Sequence, residues 1–191
     1  MPSFFPFWGD SMKILALDQA RRGAWSIFDY ENKKLLDYGT WYFDSRKYTY
    51  ERTIMSIESL LEDLITKHEV DAVFLEDIQL RKNNVQVFKR LAQLQGVLVN
   101  HCEKNEFLYW IVAPSQWQNF CNARSRTSKE IKLNIKRVDE DTEKMSKVLS
   151  MQFVKEKFEI DTDDDNLSDA ICIGYYAVNA IKIYKTCNNC Q

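Results

Sequence analysis

Two short apolar runs that each stop on an acid, KILALD at 13–18 and VDAVFLE at 70–76, constrain this chain more than any other feature. The second is too short for a helix and apolar enough to predict a buried strand of the kind found in parallel sheets, and the first reads the same way. Between them, AWSIFDY (24–30) and LLDYGTWYF (35–43) are rich in β-branched and aromatic residues. Gly23 and the Glu31-Asn32 pair supply turns short enough for antiparallel hairpins. Tyr50–Lys67 then sets Ile54, Ile57, Leu60, Leu61, Leu64 and Ile65 on one helical stripe.

A second helical pattern runs from about Asn84 to Lys104, with Val87, Leu91, Leu94 and Leu98 as its core face. FLYWIVA (107–113) makes a fifth strand, which Pro114 stops. The order βββαβαβ predicts an α/β fold. After Trp117 a charged stretch to about Thr142 is expected to be loop or partly ordered helix, and helical periodicity resumes at Met145–Phe158 and Leu167–Ile183. Only 5 Gly and 3 Pro among 191 residues, without a polar low-complexity tract, argue against disorder and against a turn-rich all-β sandwich.

No run approaches the roughly 18 apolar residues of a membrane span. The first eleven residues, MPSFFPFWGDS, lack the basic region and cleavage site of a signal peptide. Five scattered cysteines do not form the dense, even framework of a small secreted domain, so a reducing cytosol is the expected compartment. The expected organisation is an extension at 1–12, one domain at 13–184 and a tail at 185–191. Cys187 and Cys190 make a CxxC in that tail, but no second pair is spaced to complete a zinc site. His68 and His101 lie in helical segments without ligand partners and read as packing residues.

Asp18 closes the first strand, Glu76 closes the fourth 58 residues later, and Asp169 stands near the start of the last helix with Asp165 one turn earlier. If the first and fourth strands lie side by side, their terminal carboxylates converge at one sheet edge, and a helix crossing there adds the others. Clustered carboxylates repel. Two Mg²⁺ or Mn²⁺ ions about 4 Å apart relieve that repulsion and can activate water against a phosphodiester. Each acid taken alone reads equally well as a solvated strand end.

Read together, ILALDQA, FLEDIQLRKNNVQVFKRLAQLQG, VAPSQW and DNLSDAICIGYYA reproduce in order the landmarks of one family. Over about residues 13–117 and 144–184 the chain resembles a RuvC-type Holliday junction resolvase of the ribonuclease H-like, retroviral-integrase superfamily. That resemblance implies a ribonuclease H-like mixed five-stranded sheet with flanking helices. It also implies a homodimer that nicks four-way DNA junctions with two Mg²⁺ ions per active site, Mn²⁺ substituting. The catalytic and metal-binding acids it implies are Asp18, Glu76 and Asp169, with a fourth acid opening the last helix. The family spaces that pair D-x-x-D, whereas here Asn166 stands three residues before Asp169 and Asp165 four before. Both offsets share a helix face, and the carboxylate is the better ligand for a hard cation, so Asp165 is expected, with helix capping as its alternative role. Gln79 and Leu80 stand where family members often carry a stacking aromatic, while the near-zero net charge and the early FFPFW segment resemble phage and mobile-element members.

The formal net charge of −2 means that a nucleic-acid site must be a local patch. Arg81, Lys82, Lys89 and Arg90 follow Glu76, and the stretch 124–137 carries Arg124, Arg126, Lys129, Lys132, Lys136 and Arg137 against Glu130 alone. Of these, Arg81, Lys82, Arg124, Arg126 and Lys129, with Lys144 and Lys147, are the expected DNA contacts; a solvated face is the plainer reading. A branched-DNA or flap nuclease and a catalytically silent DNA-binding relative are the competing functions. An actin-like nucleotidase, and with it a nucleotide cofactor, is disfavoured because QARRG rather than a glycine-rich phosphate loop follows Asp18.

Overall fold

The computed structural model describes residues 11–80, 84–124 and 142–183, of which 142–145 are described in backbone only. The elements in chain order are β1 (Lys13–Asp18), β2 (Arg22–Asp29), β3 (Lys34–Tyr42), α1 (Tyr50–His68), β4 (Ala72–Glu76), α2 (Val85–Lys104), β5 (Leu108–Val112), α3 (Pro114–Phe120), α4 (Thr142–Phe158) and α5 (Asp165–Ala180). The strands form one mixed sheet in the order β3-β2-β1-β4-β5. The two hairpins are antiparallel, and β1–β4 and β4–β5 are parallel. This is the expected five-stranded α/β sheet, with β1 and β4 adjacent.

Alternation along the central strands sorts their side chains onto two apolar faces. Ile14 and Ala16 of β1, Ala72 and Phe74 of β4, Phe28 and Val112 pack with Leu167, Ala170, Ile171, Ile173, Ala177 and Val178 of α5. Leu15, Leu17, Ile27, Val73 and Leu75 pack instead with Ile57, Leu61 and Leu64 of α1 and Leu94 and Leu98 of α2. Each fully buried Leu, Ile or Phe contributes about 1.5–3 kcal/mol of transfer free energy, so both helical layers are held tightly to the sheet. Gly174 lets α5 approach closely: a Cβ there would lie 2.6 Å from the Phe28 ring. Ser26 Oγ donates across the same gap to the Ala170 carbonyl at 2.8 Å.

Helix ends follow ordinary capping rules. Thr49 Oγ1 accepts from the Arg52 amide at 3.3 Å to open α1, and Glu69 closes it in the left-handed conformation at φ 55°. One expectation is extended and one needs correction. Pro114 does end β5, but it also opens α3, because a proline at the first helical position gives up an amide that has no intrahelical partner there. Val87 is 44% exposed and is not part of the core, whereas Leu94 and Leu98 are buried. α2 begins its inward stripe one turn later than periodicity suggests. His101, buried within 3.6 Å of Glu58, and His68, against the Trp25 ring, are packing residues as expected. No described helix is long and apolar enough to cross a membrane.

Candidate active site

The alternation that puts Ile14 and Ala16 under α5 carries one residue further to Asp18, and the same step on β4 leads from Ala72 and Phe74 to Glu76. Leu17 and Leu75 are register partners in the parallel pair, so Asp18 and Glu76 follow side by side at its carboxyl edge. The amino end of α5 opens at that edge, because Arg22 at the start of β2 holds Asp164 through Nη2–Oδ2 at 2.9 Å. Asp165 begins α5 and Asp169 follows one turn on. The four acids singled out in the sequence therefore belong to one neighbourhood.

Their mutual repulsion is visible in proton affinity. Burial, then the carboxylates of Glu76 and Asp165, push the Asp18 carboxyl well above the usual carboxylate range against the opposing pull of Lys147. Burial and Asp18 do the same to Asp169, opposed by the Ser150 hydroxyl and Lys147. Lys147, projecting from α4, is ion-paired with Asp165. Ser150, one turn later on α4, meets the buried Ser168 hydroxyl at 3.0 Å and so sets the helix that carries Lys147 against the helix that carries the acids.

Asp165 does not cap α5; Asp164 does, its Oδ1 accepting from the Asn166 amide at 3.0 Å and the Leu167 amide at 3.4 Å. Burial alone would raise the Asp164 carboxyl, but Arg22 and the Asn166 hydrogen bond hold it below the usual range. The Asn166 side chain is folded back onto this cap, its Nδ2 donating to Asp164 Oδ1 at 3.1 Å.

Among the described residues, Gln19, Gln95 and Trp117 support Glu76. Gln19, 4% exposed, accepts from the Glu76 amide at 3.1 Å and donates to its carbonyl. Gln95 of α2 donates to the same carbonyl at 3.0 Å. Trp117 of α3 donates its indole N–H to Glu76 Oε1 at 2.8 Å. Sequence reasoning assigned no role to Gln19, Gln95, Trp117, Arg22 or Asp164. The one available signal was that Gln19 directly follows a strand-terminal acid, where an amide can span to the neighbouring strand.

Chemically, the donor set fits a hard divalent cation. Carboxylate oxygens are the preferred ligands of such ions, and Asp169 Oδ1 is buried without a hydrogen-bond partner among the described residues. Among those residues no three Asp, Glu, His or Cys side chains are already arranged to hold an ion as they stand.

Of the expected DNA contacts, Lys147 stands at the acids, and Arg124 is half-buried after α3 with Nη1 donating to Asn119 Oδ1 at 3.2 Å. Arg81, Lys82, Arg126 and Lys129 lie outside the described residues, as do the side chain of Lys144 and the Cys187/Cys190 pair.

No family model and no curated protein matches the sequence. Solved structures do match the fold. RuvC from Thermus thermophilus in complex with Holliday junction substrate aligns with a TM-score of 0.60 at 11% identity, over 87% of this chain and 95% of that one. A second T. thermophilus RuvC structure gives 0.61 at 13% identity over the same shares. The yeast mitochondrial Holliday junction resolvase Ydc2 gives 0.51 at 14% identity, over 88% of this chain and 78% of that one. The fold is the RuvC fold.

Proposed function

We propose that this chain is a metal-dependent, structure-selective DNA endonuclease, a Holliday junction resolvase that nicks paired strands of four-way junctions. The observation that carries the reading is the meeting of Asp18, Glu76 and Asp169 at one sheet edge, with a buried carboxylate oxygen of Asp169 unpartnered among the described residues. The RuvC fold over 87% of this chain supports it. Asp18, Glu76, Asp165 and Asp169 would hold two Mg²⁺ ions, with Mn²⁺ able to replace them. Such ions supply an acidified water and charge stabilisation on the attacking and departing oxygens of a phosphodiester.

The chain's own groups do the rest. Asp18 and Glu76 follow the paired Leu17 and Leu75 on adjacent parallel strands, so the sheet brings their backbones side by side. Asp165 sits in the first turn of α5, where the adjacent Asp164 satisfies the helix amides and leaves the Asp165 carboxylate turned to Lys147. The Lys147 ammonium, paired with Asp165, would also meet a phosphate, a charge suited to stabilising a pentacovalent transition state. Arg124, with Arg81, Lys82, Arg126, Lys129 and Lys144, provides phosphate contacts, which give DNA affinity without base specificity. A homodimer completes the reading, since a two-fold axis presents one site to each of two equivalent strands.

The test is incubation with labelled four-way junction, Y-shaped and linear duplex DNA, with and without Mg²⁺. The expected result is paired nicks near the junction centre that require the ion, from a species that sediments as a dimer. Equal cutting of linear duplex would favour a general nuclease. Junction binding without cutting at any Mg²⁺ or Mn²⁺ concentration would favour the catalytically silent relative.

A further inference from the structure

The geometry points to Trp117 as a positioning residue that fixes the Glu76 carboxylate for metal binding through its indole N–H. This inference rests on the reading of Glu76 as a metal ligand. Glu76 is the last residue of β4, where the sheet no longer holds its side chain and alternation sets only which face it points to. A glutamate at such a place has three side-chain torsions to order before it can hold an ion. Its backbone is clamped by Gln19 and Gln95, which fixes the root of the side chain. At the tip, the Trp117 Nε1–H donates to Oε1 at 2.8 Å.

Trp117 is well suited to that task because it cannot move far. It is 1% exposed and packs in the core formed by α5 with the β1 and β4 side chains. α3, which carries it, starts at Pro114 directly after β5 and closes with the Cys121 amide on the Trp117 carbonyl at 2.9 Å. β5 is itself hydrogen-bonded to β4, with Val112 the register partner of Glu76. The donor and the carboxylate it holds are therefore tied to adjacent strands of one sheet. An indole is a donor only, so it favours the ionised carboxylate and never competes for a proton or for a metal. Partners of this kind, one bond removed from a ligand, typically change metal affinity or activity by 10–100-fold when lost.

Trp117→Phe keeps a large aromatic ring in the pocket and removes the N–H. It is expected to weaken Mn²⁺ binding to the DNA-free protein by about tenfold, read from the free-ion signal in electron paramagnetic resonance. Junction cleavage should fall at low Mg²⁺ and recover at saturating Mg²⁺, with junction affinity unchanged. A residue that merely filled space would lower thermal stability without shifting the Mg²⁺ dependence. A second measurement needs no variant. In ¹⁵N-labelled wild type the Trp117 indole resonance should move on Mg²⁺ addition, while that of Trp41, whose Nε1 donates to the Ala20 carbonyl at 2.8 Å, should not.

Wild type and Glu76→Gln are measured in parallel. If wild type binds Mn²⁺, Glu76→Gln does not, and Trp117→Phe matches wild type with a static indole resonance, the inference is overturned and the metal site stands. If Glu76→Gln binds Mn²⁺ as wild type does, Glu76 is not a ligand and the inference falls with that reading.

Discussion

The two faces of the central strand pair end differently. On the face under α5, the run Ile14, Ala16 and its partner Ala72, Phe74 close on Asp18 and Glu76, and burial together with the Glu76 carboxylate raises the proton affinity of Asp18. On the face under α1 and α2, the run Leu15, Leu17 closes on Gln19, a neutral amide satisfied by the Glu76 backbone, whose carbonyl also accepts from Gln95. One strand thus presents a strained edge to one side and a satisfied edge to the other, one residue apart. Polar groups chosen for stability alone would all resemble Gln19. Charges kept in mutual repulsion are the ground on which that face is proposed as the binding face.

The sharpest way to break this contrast is to change one group on each face. Asp18→Asn should reduce Mg²⁺-dependent junction cleavage by about 1,000-fold or more, the scale on which removing a central catalytic group acts, while leaving the fold and junction binding intact. Near wild-type rates would show that the strained face is not the reactive one. On the opposite face, Leu17→Ala should lower unfolding free energy by about 2–5 kcal/mol in denaturant titration without moving the Mg²⁺ dependence of cleavage. A shift in that dependence would mean that the faces are not separable.

A smaller effect tests the edge of the acidic site. Asp164→Ala should lower stability by about 1 kcal/mol through loss of the α5 cap. Asp165→Asn should instead abolish cleavage with stability kept, and Asn166→Ala should be tolerated. Retained cleavage in Asp165→Asn together with loss in Asn166→Ala would transfer the ligand role to Asn166.

The smallest effect is in pH. Asp18 and Asp169 bind protons more tightly folded than unfolded, so the stability they confer is full below the ordinary carboxylate range and is lost as pH rises through their raised values. The metal-free thermal midpoint should drift down over that interval, and the drift should shrink in Asp18→Asn. Asp164 works in the opposite direction, since its lowered value makes its contribution fade as pH falls.

Much of this was legible in the sequence, for identifiable reasons. KILALD and AVFLE are short apolar runs ending in acids, and length and apolarity alone mark them as buried strands whose ends carry charge. Once β1 and β4 are neighbours, strand alternation places Asp18 and Glu76 without further information. What was not legible depends on contacts distant in the chain or on chemistry with two readings. Pro114 ends a strand and opens a helix by the same lack of an amide. The α5 cap is Asp164 rather than Asp165, and among the three consecutive aspartates it is Asp164 that also meets Arg22, 142 residues away. Trp117 reads as an apolar residue until α3 brings its N–H to Glu76.

The central claim is that the α5 face is built to hold divalent cations and the α1–α2 face is not. The direct test is the shift in thermal midpoint that Mg²⁺ causes in DNA-free wild type, Leu17→Ala and Asp18→Asn, each first stripped of metal. Binding to the folded state alone stabilises by about 2.7 kcal/mol when the ion is at 100 times its dissociation constant. Wild type and Leu17→Ala are predicted to gain equally, and Asp18→Asn to start higher and gain little. An equal Mg²⁺ shift in all three, or none in wild type, would contradict the account.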